Sequence, residues 1–128
     1  MSNLVAVATA FLLVSVPASA HHSFAADFDA AKPVSLTGTL TRIEWTNPHA
    51  HIHLDVAGQA GVVTSWNIEL GTPNALMRGG WLRNSLKSGD RVTVNGYGAK
   101  DGSRLVNARS VTLSDGRLLF TRASASSL

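Results

Sequence analysis

From His49 to Val56 the chain alternates with a strict period of two. Ala50, Ile52, Leu54 and Val56 fall on one side, and His49, His51, His53 and Asp55 on the other. Only an extended strand sorts residues this way; a helix would scatter both sets around its surface. One face must therefore be covered by other apolar residues, while the other carries three imidazoles at i, i+2 and i+4. Successive rings on such a face lie about 6.5–7 Å apart.

The remaining segments supply partners for that strand. Val34 to Trp45 is rich in β-branched residues, and its alternation slips between Leu40 and Ile43, which predicts a bulge or strong bend. Thr46-Asn47-Pro48 reads as a turn. Val62 to Leu70 is a third strand, with Val62, Thr64, Trp66, Ile68 and Leu70 on one face and Asn67 and Glu69 opposite. At Thr72-Pro73 the period changes to that of a helix, Thr72 serving as cap and Pro73 fitting the first turn. Leu76, Met77, Trp81, Leu82 and Leu86 form its stripe. Gly79-Gly80 would cost a continuous helix roughly 1 kcal/mol per glycine, so the segment reads equally as two short pieces. Strands follow at Arg91 to Tyr97 and Leu105 to Leu113, with a short hairpin extension at Arg117 to Phe120, punctuated by Asp101-Gly102 and Asp115-Gly116.

Five short strands with a helical connection between the third and fourth predict an all-β fold, a small Greek-key barrel of the OB type. A flat antiparallel sheet packed by one helix is the alternative. The expected organisation is a signal peptide over 1–20, an N-terminal arm over 21–33, a barrel over 34–120 and a disordered tail over 121–128.

Met1 to Ala20 has no charged side chain, an apolar stretch around Phe11 to Val14, and Ala18-Ser19-Ala20 after Pro17. These are the marks of a secretory leader rather than a membrane span. Removing 20 of the 128 residues leaves 108, enough for one domain that is periplasmic or secreted and has no integral membrane segment. With no cysteine, that domain has neither disulfides nor thiolate ligands and must rest on an apolar core. Its formal charge of +3 and pI near 10.0 come from scattered lysines and arginines. No basic block or aromatic ladder accompanies them, which argues against nucleic acid and for mild attraction to anionic envelope surfaces.

Cleavage after Ala20 would leave His21 with a free α-amine beside its imidazole, a chelating pair. His21 and His22, with His49, His51 and His53, are therefore the candidate metal ligands. Asp55 is a candidate oxygen donor or an acceptor that orients a ring. Three imidazoles in a straight row do not converge on one ion without a bend, so two strand histidines joined by one from the arm is the workable set. Nitrogen donors without sulfur suit copper, with zinc or nickel as alternatives. The arrangement resembles the histidine brace of copper-dependent polysaccharide monooxygenases and some periplasmic copper carriers. Equally open are a polar surface role without metal and proton sensing between pH 5 and 8.

Trp45, Asn47 and His49 flank the turn and form a candidate rim for a small ligand or protein partner. Against this, Trp45 serves equally as core, and Asn47 as an Asx-turn residue holding Pro48. Trp66 and Trp81 read as core. No nucleophile elbow, phosphate loop or paired-carboxylate spacing is present, and the reading is non-enzymatic. A metal-dependent redox activity is the remaining alternative.

HHSFAADFDAAKPVSLTGTLTRIEWTNPHAHIHLDV resembles a family of small exported bacterial proteins classed as a domain of unknown function. ELGTPNALMRGGWLRNSLKSGDRVTVNGYGAKDG and ARSVTLSDGR resemble it too, so the likeness spans the mature chain. It implies an exported β-rich domain with no established activity. His21, His22, Trp45, Asn47, Pro48 and His49 match its pattern. Related sequences are often aromatic where His51 and His53 stand here, which makes His21 with His49 the favoured pair.

Overall fold

The structure is a computed structural model that describes residues 24–121. A single helical turn, α1 (Phe24–Asp27), leads into β1 (Phe28–Glu44); β2 (His51–Ala57), β3 (Val63–Glu69), α2 (Pro73–Arg78), β4 (Arg91–Ala99), β5 (Leu105–Leu113) and β6 (Leu118–Phe120) follow. β1 pairs with β2 along its second half and with β4 along its first; β2 pairs with β3, and β4 with β5. A parallel contact between β3 and β5, Asn67 to Glu69 against Leu105 to Asn107, closes the ring of five strands. β6 is a short antiparallel extension on β5. The fold is thus all-β, with the order and closure of a Greek-key barrel of the OB type, and α2 joins the third strand to the fourth. No helix among the described residues is long and apolar enough to cross a membrane.

Alternation fills the interior. Leu40, Ala50, Ile52, Leu54, Ile68, Leu70, Val92, Val94, Val106 and Val111 are all buried inside the barrel, where Leu76, Trp81 and Leu86 join them from the β3–β4 connection. The slip in β1 is real: pairing with β2 jumps between Leu40 and Arg42, so Leu40 and Ile43 both turn inward. β5 slips in the same way. Its inward set changes from Val106 and Ala108 to Val111 and Leu113, and its pairing with β4 shifts between Asn95 and Gly96. That second bulge sends both Arg109 and Ser110 away from the core.

Three sequence expectations change. β1 starts at Phe28, so the segment up to Pro33 belongs to the strand; Phe28 is buried and lies opposite Ala99 of β4. The helix ends at Gly79 and turns follow, so Leu82 is 65% exposed rather than part of a buried stripe. Thr121, expected to open a disordered tail, is buried: its amide donates to the Arg109 carbonyl and its hydroxyl to the Ala108 carbonyl. The rest of that tail, 122–128, and the leader over 1–20 lie outside the described residues.

Candidate functional site

The outer face of β1, β2 and β3 carries the polar side chains that β2's inward apolar residues displace. Register aligns them in rows. Arg42 of β1 stands opposite His53 of β2, which stands opposite Asn67 of β3. One step along, Glu44 faces His51, His51 faces Glu69, Glu69 faces Asn107 of β5, and Asn107 faces Tyr97 of β4. His49 sits just before β2, at the end of the Thr46–Pro48 turn.

Each of the three histidines has one ring nitrogen engaged. His49 Nδ1 lies 3.1 Å from the Leu70 carbonyl oxygen, which only accepts, so Nδ1 carries the proton and Nε2 presents its lone pair. The same Nδ1 is 3.8 Å from Glu69 Oε1. His51 Nδ1 donates to Asn67 Oδ1 at 2.8 Å. His53 Nε2 is 3.1 Å from Glu44 Oε2 and 3.2 Å from Arg42 Nη2. Two donors cannot share that contact. The carboxylate accepts the hydrogen bond from His53 Nε2–H, and the guanidinium is satisfied at Glu44 Oε1, 3.1 Å away. Asp55, the remaining outward residue of the strand, accepts from Ser65 Oγ at 2.7 Å and orients no ring among the described residues.

The hydrogen bond from His53, aided by the charge of Arg42, holds the Glu44 carboxyl below its ordinary value of 4.5. A lowered folded-state value means the carboxylate's contribution is complete above 4.5 and fades as the pH falls through the lowered value. Glu44→Gln should therefore lower the melting temperature slightly at neutral pH. The gap to wild type should close in acid, as thermal melts across that range will show.

Beneath this face Asn107 is 6% exposed. Its Nδ2 donates to Glu69 Oε1 at 3.3 Å, while its Oδ1 is buried without a partner among the described residues. Beside it in the row, Tyr97 meets Phe24 edge-on, with ring centroids 5.6 Å apart. The Arg109 guanidinium lies 5.0 Å from the Phe24 centroid and 5.2 Å from that of Tyr97.

Of the residues proposed from sequence, β2 and its preceding turn bring His49, His51 and His53 onto one face, whereas His21 and His22 lie outside the described residues. Among the described residues no group of three or more histidines and carboxylates is arranged to hold a metal ion. At the rim, Trp45 packs against the core cluster and Asn47 is exposed. The side-chain bond of that turn comes from Thr46, whose hydroxyl donates to the His49 carbonyl at 3.2 Å. Sequence reasoning gave Arg42, Glu44 and Asn107 no role at the site. Only the pairing of distant strands brings them to the histidines, although a polar Asn107 between Val106 and Ala108 was a visible signal.

Fold and face together define a small all-β barrel protein with a row of histidines on its outer surface. The chain belongs to a family of unknown function, DUF6152, whose model matches residues 10–107. No curated protein matches the sequence.

Proposed function

We propose that this is an exported, periplasmic, non-enzymatic binding protein that coordinates copper or a similar divalent ion. Its ligands are His21, with His22 as a neighbouring donor, and the outward ring nitrogens of His49 and His51. The observation that carries the reading is the state of the β2 histidines. Each gives one ring nitrogen to a carbonyl, amide or carboxylate oxygen and keeps the other for a ligand. Ligating histidines are oriented by such bonds in metal sites generally.

Reach supports the contribution of the N-terminus. Phe24 packs on Tyr97, and three strand spacings, about 14 Å, separate Tyr97 from His51 along the row. Three residues take the chain from Phe24 back to His21, a span of at most about 10 Å. The two histidine side chains make up the remainder. Nitrogen donors in a chain without cysteine favour copper. The Trp45–Asn47–His49 rim supports a metal-free module less well, because Trp45 packs against the core and leaves no aromatic platform.

The test is Cu(II) titration of exported protein whose processed mass has been verified, beside a variant extended by one N-terminal residue. The extension should weaken binding by about tenfold or more, and His49→Ala by a similar factor. Equal affinities, millimolar binding throughout or a retained leader would each refute the proposal.

A further inference from the structure

A cleft of about 330 Å³ opens between the α2–β4 connection and the β5–β6 turn, and no residue of β2 or β3 lines it. Three cations, Lys87, Arg91 and Arg117, share its walls with two carboxylates, Asp90 and Asp115. Both carboxylates accept local hydrogen bonds. Asp90 Oδ2 accepts the Lys87 amide at 2.9 Å. Asp115 accepts the Arg117 amide at 3.0 Å and Arg117 Nε at 2.7 Å.

The donors are in a different position. Lys87 and Arg91 are exposed, with no ion-pair partner among the described residues, and Arg117 keeps its terminal nitrogens. The cleft therefore offers several charged N–H donors, and its three cations outnumber its two carboxylates. Leu82, 65% exposed, forms an apolar lip. A volume near 330 Å³ is at the small end for an organic ligand, and lysine and arginine together suit a tetrahedral oxyanion.

We infer that this cleft is a binding site for a phosphate group, either free or carried by a lipid. It is independent of the histidine face and stands or falls separately from metal binding. The exported full chain is titrated, with amide NMR as the readout, against inorganic phosphate and against dihexanoyl phosphatidylglycerol below its micelle concentration. Saturable shifts are expected at residues 87–91 and 114–117, weakening as sodium chloride rises. The Lys87→Gln/Arg91→Gln double variant should lose about tenfold or more in affinity.

Tighter binding of the lipid that drops in Leu82→Ser identifies a phospholipid headgroup; equal binding of both probes identifies free phosphate. The inference is overturned if neither probe gives saturable shifts at these amides, or if the double variant binds like wild type. Should that variant fold poorly, the wild-type salt dependence decides, because affinity indifferent to salt rules out a charged site.

Discussion

Trp81→Ala is expected to lower the melting temperature by roughly 15–30 °C, the largest single-residue effect on stability in this chain. Trp81 is 2% exposed and is the largest side chain in the core, on the loop that leaves α2. Two roles meet in it. The ring fills the barrel interior with Leu76 and Leu86, and truncating a buried tryptophan costs about 3–5 kcal/mol. Its Nε1 also donates to the Phe120 carbonyl at 2.8 Å, tying the connection to the short strand β6. Against a stability of about 5–15 kcal/mol for a domain, the loss is large. Trp81→Phe separates the roles, since it keeps most of the volume and removes the donor. Losing that one hydrogen bond while keeping most of the packing should cost only about 1–2 kcal/mol. Denaturant melts of both variants check this. A Trp81→Ala protein within about 1 kcal/mol of wild type would show that the connection does not close the core.

Local chemistry made much of this fold legible. The two-faced strand at Ala50–Val56 could be nothing else, and the broken alternation at Leu40–Ile43 located the β1 bulge. The Thr72 cap forms as the sequence implies, its hydroxyl accepting the Ala75 amide at 3.2 Å. Gly102 and Gly116 take the positive φ values, 76° and 88°, that their turns require. What stayed hidden depends on residues far apart in sequence. Phe28 joins β1 because Ala99 waits opposite it, and Thr121 is buried because the Ala108 and Arg109 carbonyls accept from it. Neither segment is apolar enough to announce this. The site divides along the same line. Alternation puts three histidines on one face, but their partners Glu44, Asn67 and Leu70 come from neighbouring strands or their ends, and only register assigns them.

Gly96→Ala should destabilise the barrel by about 3 kcal/mol and disturb the histidine face at a distance. Gly96 lies in β4 opposite Ala108, where β5 bulges. A Cβ there would press into the Asn107 carbonyl oxygen and sit 2.9 Å from Ala108 Cα, closer than such atoms approach. Those neighbours are backbone and cannot swing aside, so the seam between β4 and β5 must open. That seam sets the direction of the Asn107 side chain, whose carboxamide holds Glu69 beside His49. Stability and site geometry should therefore change together in this variant. Gly98→Ala, two residues along the same strand, is the control. Its nearest contact would be Val34 Cγ2 at 3.5 Å, an ordinary separation, so it should be neutral or stabilising by up to about 1 kcal/mol. Denaturant midpoints measure the stability difference, and the NMR shifts of His49 and His51 report on the site. Equal stability of the two alanine variants would mean that the bulge yields without loss, and the tight seam would then not be what fixes Asn107.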